Sequence, residues 1–339
     1  MESITPYYVA LCQVDQSNPT NREAMSENTD RMLAIMEKAV VGYQPFHDVK
    51  LVVFPEFGHA APVYPTAQEL LEHLALPVEN EHIDRIRNKA RELQCYVQTA
   101  SFLEVDPQWP DTVFNTTLLI SPEGEILSRY RKTHPWIPWE VHASPHDIPD
   151  YADDPFPVVD TPLGRLGVAT CYDWLFPEVL RELALRGCEV MIRISAYMDP
   201  WGAVPPMDWW TVINRARAIE NTAYVLACNQ AATDGKYPPF SWPGGSMAVD
   251  YDGRILAQAA PGAGEQIVIA PVHVDALRYE RRRRQGHAFL AHRRTELYSE
   301  QQKPAFPSSA TAKQRTVAGL NQAITQTKER LAGPPEHDA

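Results

Sequence analysis

The sequence predicts a single α/β layered domain in which helices pack on β-sheets. Apolar, β-branched runs alternate with segments of helical periodicity toward both ends of the chain, and hairpin-like pairs of runs lie between them. The chain has 339 residues, of which 44% are hydrophobic, so it can bury one large core. Because no shift in composition marks an internal boundary, we expect one domain over residues 1–300.

The first half of the chain carries runs of strand length separated by two helical patterns. Strands are expected over residues 8–14, 51–54, 96–105, 114–120 and 125–131. Helices are expected over residues 21–40 and 81–93, where apolar side chains recur at helical spacing. The last two strands flank a turn at residues 121–124 and therefore form a hairpin.

The second half continues the alternation. Strands are expected over residues 166–170, 190–194, 224–227, 246–250, 255–259 and 266–272, and helices over residues 177–186 and 209–222. Residues 135–162 are rich in proline and acidic side chains, and a loop of that length inside a compact domain commonly carries function. Residues 301–339 predict a C-terminal arm on another subunit or a partly disordered tail.

The charge balance excludes several classes of partner. Acidic residues outnumber basic ones by 43 to 31, which gives a formal net charge of -12. This balance argues against nucleic acid and against an anionic membrane as the main partner. The arginine run at residues 281–284 is interpreted as a solvated or subunit-contact segment. The sequence contains no pattern typical of a signal peptide or of a membrane span.

The cysteines indicate free thiols in a reducing compartment. The five of them are widely spread and include no CxxC pair: Cys12, Cys95, Cys171, Cys188 and Cys228. This arrangement does not fit a disulfide framework or a zinc site. We therefore expect a cytoplasmic protein that uses neither a metal nor another cofactor.

Cys171 lies in the stretch "GVATCYDWLFPEVL", at the exit of an apolar strand and before a helix start. For a single cysteine, a buried and inert thiol is the commoner interpretation. The position at a strand exit instead favours a displayed nucleophile. Such a thiol needs a neighbouring base or cation, because its pKa of about 8.5 leaves it mostly protonated at neutral pH.

Three further residues could serve this thiol. Glu56, in "LVVFPEFGHAAP", also follows a buried strand, where an unused carboxylate would be costly and where α/β proteins gather their chemistry. Lys132, in "SRYRKTHPWIPWE", precedes an aromatic, proline-rich loop and could offer a fixed cation to an oxyanion. Glu140, which ends the same stretch, could bind a cation or help to manage protons.

Histidines near these motifs keep an alternative open. His59, His134, His142 and His146 lie close to them in sequence, so a Cys–His arrangement is a second hypothesis. Their positions in loops favour surface or supporting roles.

The three motifs resemble those of the nitrilase superfamily, the carbon–nitrogen hydrolases. The stretches "FPEFG", "YRKTHPWIPWE" and "GVATCYDWLFPEVL" occur in that family's order and at family-like separations. The resemblance covers roughly residues 8–298 and implies a four-layer α-β-β-α sandwich of the nitrilase type. It also implies a Glu-Lys-Cys triad, with Glu56 as general base, Lys132 as electrostatic stabiliser and Cys171 as nucleophile. Glu140 resembles the second glutamate that supports this triad.

Within the superfamily the chain is most similar to the aliphatic amidases and formamidases. Their "RK..PW.P.E" arrangement is matched by the run from Lys132 to Glu140, and "RISAYMDP" approaches their "R..GYM.P" segment. Phe57 stands where those enzymes usually have tyrosine, Tyr172 where they have aspartate, and Ala196 where they have glycine. All three changes line or border the pocket.

The resemblance implies hydrolysis of a small, mostly uncharged carboxamide to the acid and ammonia through a cysteine thioester. The main-chain N–H of Tyr172 would assist Lys132 at the oxyanion, and Phe57, Trp136 and Tyr197 would line the substrate site. The implied partners are a small-molecule amide and further copies of the chain, in a homo-oligomer built from dimers. Alternative functions are an N-carbamoyl amide hydrolase, a nitrilase with the same triad, and a catalytically retired scaffold.

Aromatic side chains recur around these motifs. Most are expected in the core and some on the pocket wall, which favours a substrate with an apolar acyl part. They are Phe57, Trp136, Trp139, Trp174, Tyr197 and Trp201. No arginine is obviously placed for a substrate carboxylate. Arg193 is interpreted as a structural ion-pair partner, with Glu178 as the candidate, and a contact of Arg193 with a substrate carboxylate stays an alternative.

Overall fold

The computed structural model of the chain describes six stretches of backbone, with two β-sheets at the centre and helices outside them. These stretches are residues 3–137, 139–197, 208–231, 244–260, 264–298 and 315–332. None of the helices in them is both long and apolar enough to cross a bilayer.

The strands form two mixed sheets. In chain order they are β1 (Tyr7–Gln13), β2 (Val49–Val53), β3 (Tyr96–Gln98), β4 (Phe102–Asp106), β5 (Trp109–Ile120), β6 (Ile126–Arg131), β7 (Val158–Thr161), β8 (Gly164–Thr170), β9 (Val190–Ser195), β10 (Tyr224–Asn229), β11 (Met247–Val249), β12 (Ile255–Gln258) and β13 (Gln266–Val272). The first sheet has the order β13-β1-β2-β3-β5-β4, with β6 paired to β5, and the second has the order β12-β11-β10-β9-β8-β7. Strands β1, β2 and β3 are parallel, as are β8, β9 and β10.

The helices cover the outer faces of these sheets. They are α1 (Met25–Val40), α2 (Ala67–His73), α3 (Glu81–Leu93), α4 (Pro177–Leu185), α5 (Trp209–Asn221), α6 (Val274–Arg283) and α7 (Val317–Ala332). Helices α1 and α3 contact each other, and α1 packs on β1 and β2 of the first sheet; α4 and α5 contact each other and pack on the second. Helix α3 begins where the Asn80 side chain accepts the N–H groups of His82 and Ile83, and it ends at Gln94 in the left-handed region.

Alternation along the strands separates two apolar clusters. On β1, Val9 and Leu11 face the second sheet, whereas Ala10 and Cys12 face the helices α1 and α3. The inner cluster continues into β8, β9 and β10 of the second sheet. The predicted four-layer α-β-β-α sandwich is confirmed.

One predicted strand is interrupted, and the interruption supports the candidate site. Residues 96–105 form β3 and β4, with a break at residues 99–101. Within the break, the Ser101 hydroxyl accepts the N–H of Phe57 at 2.9 Å and its carbonyl accepts the N–H of Gly58 at 2.9 Å. The break therefore holds the turn that follows Glu56.

Several elements lie where no pattern predicted them. Helices α2 and α6 and strand β7 were not predicted, and β7 lies inside the proline-rich stretch that was expected to be a loop. Helix α7 lies within the expected C-terminal arm, and Arg315 and Leu320 are buried against the same chain. The division of the chain at residue 300 stays a prediction.

The arginine run at residues 281–284 makes contacts within the chain. The Arg281 guanidinium donates to the carbonyl oxygens of Thr222 at 2.8 Å and Cys188 at 2.7 Å. Arg284 binds the carboxylates of Asp252 and Glu280. These two arginines attach the end of α6 to the second sheet and its connections, while the two between them are exposed.

Candidate active site

The predicted site residues follow the carboxyl ends of strands in both sheets. Glu56 comes three residues after β2, Lys132 directly follows β6, and Cys171 directly follows β8. Glu56 and Lys132 are fully buried, and Cys171 is 8% exposed. Functional groups commonly collect at this edge of an α/β sheet.

Lys132 lies between the two glutamates. Its Nζ is 2.8 Å from Oε1 of Glu56, 2.9 Å from Oε1 of Glu140 and 2.7 Å from Oε2 of Glu140. Glu140 is 5% exposed, so all three charges are shielded from water. A buried charge is stable only when it is paired and hydrogen-bonded, and this cluster meets that condition.

The Glu56 carboxylate is held on both oxygens. Oε1 accepts the side-chain amide of Asn115 at 2.8 Å in addition to Lys132, and Oε2 accepts the main-chain N–H of Ala196 at 2.9 Å. Burial raises the pKa of Glu56 above its ordinary value, and the Lys132 charge offsets this only in part. Asn115 was missed from the sequence, although an amide inside an apolar strand requires a partner and therefore signals a contact.

The Glu140 carboxylate is stabilised in its ionised form. Burial alone would raise its pKa, but the charge of Lys132 and a hydrogen bond from His142 at 3.2 Å lower it to about 2. The main-chain N–H of Trp136 also donates to Oε2 at 2.6 Å. Glu140 is therefore a fixed negative charge beside Lys132 at neutral pH.

The Cys171 thiol is protonated at rest. Burial raises its pKa, the negative charges of Glu56 and Glu140 raise it further, and Lys132 lowers it only in part. The thiol makes no hydrogen bond to any residue that the structure describes, so its proton is free for transfer. The φ angle of Cys171 is +45°, an uncommon backbone conformation for a residue other than glycine, and it belongs to the turn after β8.

Asp173 connects this turn to the segment that carries Lys132. Its carboxylate accepts the Tyr130 hydroxyl at 2.7 Å, the Thr133 hydroxyl at 2.8 Å and the N–H of His134 at 2.8 Å. It also accepts the N–H of Thr170 at 2.9 Å. Sequence reasoning missed this role, because nothing in the spacing shows which loop the carboxylate faces.

The four predicted pocket residues lie around this cluster. The Phe57 ring centroid is 6.0 Å from the Lys132 Nζ. Tyr197 directly follows Ala196, whose N–H donates to Glu56. Tyr172 follows the cysteine and is partly exposed. The Trp136 ring contacts that of the exposed Trp139 in a tilted arrangement, with 4.6 Å between the ring centroids. The predicted aromatic Trp201 lies outside the described residues.

Arg193 does not pair with Glu178, so that interpretation is wrong. Its buried guanidinium lies 4.3 Å from the Trp210 ring centroid and 5.1 Å from that of Tyr197. It donates to the Asn214 side chain at 2.8 Å. Glu178 is exposed near the start of α4, whereas Arg193 on β9 is fully buried, with its guanidinium 5.5 Å from the Trp174 ring centroid.

The four histidines occupy both buried and surface positions, and surface or supporting roles were the two roles expected of them. His59 and His142 are fully buried, His134 is partly exposed, and His146 is exposed. His142 binds Glu140, and burial lowers the pKa of His59 to about 3, so His59 is neutral. The carboxylates, not a histidine, contact Lys132 in this site.

The described residues contain no group of three or more histidine, cysteine, aspartate or glutamate side chains arranged to hold a metal ion. A thiol, an ammonium group and two carboxylates can carry out acyl transfer, with the thiol as nucleophile, a carboxylate as proton carrier and the ammonium at the oxyanion. Two packed mixed sheets that carry these groups at their strand ends define the class: hydrolases that act through a cysteine.

Comparison with known proteins identifies the family within this class. The family model "Carbon-nitrogen hydrolase" matches residues 8–282, and the chain belongs to this family. A formamidase of Bradyrhizobium diazoefficiens is 31% identical over 280 residues, which cover 80% of this chain and 74% of the relative.

Solved structures show the same fold. Saccharomyces cerevisiae Nit3, a member of branch 10 of the nitrilase superfamily, superposes with a TM-score of 0.69 at 26% identity and covers 84% of this chain and 98% of its own. A carbon-nitrogen hydrolase of Helicobacter pylori has a TM-score of 0.71 at 22% identity, over 88% of this chain and 99% of its own. These structures confirm the predicted fold, and the family model and the 31% identical relative confirm the predicted family.

Proposed function

We propose that the protein is an amidase that hydrolyses a small, mostly uncharged carboxamide to the acid and ammonia through a thioester on Cys171. The observation that carries this proposal is the buried contact of Lys132 with Glu56 and Glu140, because the charges of all three act on the Cys171 thiol. The similarity to a formamidase supports an amide as the substrate.

In the first step the Cys171 sulfur attacks the carbonyl carbon while Glu56 takes the thiol proton. Since burial and the nearby carboxylates hold that proton on the sulfur, the attack requires a base. A carboxyl group whose pKa is raised by burial suits this task, because it is a stronger base than a solvated glutamate.

The negative charge then moves to the carbonyl oxygen, where Lys132 and the main-chain N–H of Tyr172 stabilise it. Burial alone would lower the pKa of Lys132, but the charges of Glu140 and Glu56 raise it above its ordinary value. Lys132 therefore stays protonated throughout the reaction. Glu140 supports this charge without taking part in proton transfer.

The tetrahedral intermediate collapses when Glu56 returns the proton to the leaving nitrogen and ammonia departs. A water molecule then gives a proton to the same carboxylate and attacks the thioester carbon. The carbon–sulfur bond breaks, the proton returns to the sulfur, and the free acid is released. The cycle needs one base, one cation and one thiol.

Charge favours a neutral acyl group. The cluster described above has two carboxylates and one ammonium group, so an added substrate carboxylate would meet a net negative site. The Arg193 guanidinium lies against aromatic rings and donates from Nη1 to Asn214, and its charge also acts on the Cys171 thiol. The aromatic side chains of Phe57 and Tyr197 support an apolar wall.

An ammonia-release screen over aliphatic amides, N-carbamoyl amides and nitriles tests the proposal. We expect turnover of at least one small amide, and loss of that turnover to background in Cys171→Ala, because this substitution removes the proposed nucleophile. Cys188→Ala is the matched control, since Cys188 is also a buried free thiol. This control should keep its activity.

Other outcomes would contradict the proposal. Carbon dioxide released with ammonia would identify an N-carbamoyl amide hydrolase, and turnover of nitriles without amides would identify a nitrilase. Equal activity of Cys171→Ala and the wild type would exclude the thioester. No turnover of any compound would favour a retired scaffold.

We also propose that the protein forms a homo-oligomer built from dimers. Helix α5 exposes an apolar stripe of Trp209, Val212 and Ile219, which are 47%, 62% and 39% exposed. Their spacing places them on one face of the helix, and Leu185 at the end of α4 is 50% exposed. A second copy of the chain could cover this stripe.

Sedimentation velocity tests the oligomer. We expect the wild type to sediment as a dimer or larger species and Val212→Asp to sediment as a monomer, because a buried carboxylate without a partner is costly. Phe46→Asp is the control, since Phe46 is 82% exposed and lies far from α5 in the chain. A wild-type monomer would contradict the proposal.

A reducing compartment, the cytoplasm, is proposed as well. All five cysteines are free and buried, and none pairs with another. Disulfides are rare in compartments that keep thiols reduced. A catalytic thiol would also be protected from oxidation there.

A further inference from the structure

Arg315 is a buried arginine outside the residues that match the family model. It is 5% exposed, and it contacts the loop that follows Glu140. Its Nη2 donates to the carbonyl oxygen of His142 at 2.8 Å, and its Nε donates to that of Val141 at 3.2 Å. Its Nη1 binds the Asp147 carboxylate at 2.5 Å. One planar guanidinium thus holds three residues of one loop.

The opposite side of this loop is fixed by the first sheet. The N–H of Ala143 donates to the carbonyl oxygen of Val113 on β5 at 2.7 Å. The Ser144 hydroxyl donates to the carbonyl oxygen of Thr133 at 2.7 Å. The loop therefore lies between β5 and Arg315, and loss of either contact would leave it held from one side.

The segment that carries Arg315 is itself anchored. Thr316 forms an antiparallel bridge with Thr66, just before α2. Leu320, in the first turn of α7, is 7% exposed and packs in the outer cluster with α1 and α3. The arginine is thus part of an ordered contact and not the end of a solvated tail.

The loop in turn positions Glu140. The His142 ring donates to the Glu140 carboxylate, and the same residue offers its carbonyl oxygen to Arg315. A shift of His142 would move its ring and loosen Glu140. Because Glu140 contacts Lys132 at 2.7 Å, the shift would reach the cation of the site.

We propose that Arg315 is a positioning residue for the amidase reaction, acting through His142 and Glu140 on Lys132. This inference rests on the proposed function. It makes the C-terminal segment a part of the active site's support. A displacement of about 1 Å in a catalytic group can cost on the order of 100-fold in rate.

The variant Arg315→Ala is expected to lower kcat by about 10- to 100-fold. The reaction needs protonated Lys132, so activity is lost at alkaline pH where this group deprotonates. A displaced Glu140 no longer raises the pKa of Lys132, and the variant should therefore lose activity at a lower pH than the wild type. The ionisable groups that act on or are influenced by Lys132 are Glu56, Glu140, Cys171, Tyr172 and Asp173. Of these, only Glu140 touches the loop that Arg315 binds.

Two further measurements separate positioning from stability. Methylguanidinium added to Arg315→Ala should restore part of the lost kcat, since it can bind the vacated carbonyl oxygens. Arg281→Ala is the matched control, because Arg281 also donates to two carbonyl oxygens. Its partners Cys188 and Thr222 precede β9 and β10, at the ends of these strands that lie away from the site. It should lose stability while its kcat and pH profile stay those of the wild type.

The outcomes distinguish this inference from the proposed function. An inactive wild type would overturn the proposed function itself. An active wild type with unchanged kcat and alkaline limb in Arg315→Ala would overturn only the role of Arg315. If the alanine variant fails to fold, Arg315→Lys keeps the positive charge but lacks the planar guanidinium that binds several acceptors at once. Wild-type kcat in Arg315→Lys would also overturn the role of Arg315.

Discussion

Replacing Lys132 by alanine is expected to lower kcat by about 100- to 1000-fold, because the substitution removes one of two proposed oxyanion donors. It should also lower the free energy of unfolding by about 3 to 5 kcal/mol, since Glu56 and Glu140 would remain buried without their common cation. Ammonia release under saturating substrate and urea unfolding measure the two effects. Single-turnover experiments would show that thioester formation is the affected step.

Lys89→Ala is a closely matched control for this prediction. The Lys89 ammonium also bridges two carboxylates, Glu37 at 2.5 Å and Glu92 at 2.8 Å, but both of those are more than half exposed. Surface ion pairs contribute only about 0 to 1 kcal/mol, so this variant should change stability little and kcat not at all. If Lys132→Ala kept the wild-type kcat, Lys132 would have no part in the proposed reaction.

Much of the fold was readable from local pattern. Helix α3 and strand β13 have the bounds that periodicity predicted, because α3 has a clear N-cap and β13 is flanked by the polar residues Glu265 and His273. Strand β7 could not be predicted, since its residues are partly exposed and gain order by pairing with β8. Helix α7 was obscured by a composition typical of solvated tails.

The site was predicted less evenly than the fold. Glu56, Lys132 and Glu140 carry a signal because charges beside apolar strands need partners, and the structure brings these three into contact. Asp173 and Arg315 carry none, because the loops that they hold lie 39 to 43 and 168 to 174 residues away along the chain. Only the folded arrangement shows which loops such residues connect.

The supporting contacts explain how an uncommon backbone can be maintained at the site. Phe57 and Cys171 both have positive φ angles, of +59° and +45°. Each such residue costs on the order of 1 to 3 kcal/mol, which neighbouring contacts must offset. Ser101 holds the first turn and Asp173 the second, so a hydrogen bond to a neighbouring side chain supports each of these turns.

Glu56→Gln is expected to lower kcat by about 100- to 10000-fold, because the amide cannot take the thiol proton. The side chain keeps nearly the same shape, and its oxygen can still accept Asn115 and Lys132. Its NH₂ group would then face the N–H of Ala196, where two donors meet. We expect a loss of about 1 to 3 kcal/mol in unfolding free energy from that contact.

Glu189→Gln is the control for the loss of a buried carboxylate. Glu189 is 4% exposed and accepts both the Arg278 guanidinium at 2.6 Å and the N–H of Arg165 at 2.9 Å, as Glu56 accepts a cation and an N–H. It precedes β9, at the end of the strand opposite to the site. This variant should lose stability and keep its kcat.

The pH profile identifies the base independently of these losses. A base must be unprotonated to act, and burial raises the pKa of Glu56 above 4.5, so kcat/KM should fall as pH falls through that raised value. Glu140 cannot produce this limb, because its pKa of about 2 keeps it ionised there. The limb should be absent from the residual activity of Glu56→Gln and unchanged in Glu189→Gln. An acid limb that survives in Glu56→Gln would assign the proton transfer to another group.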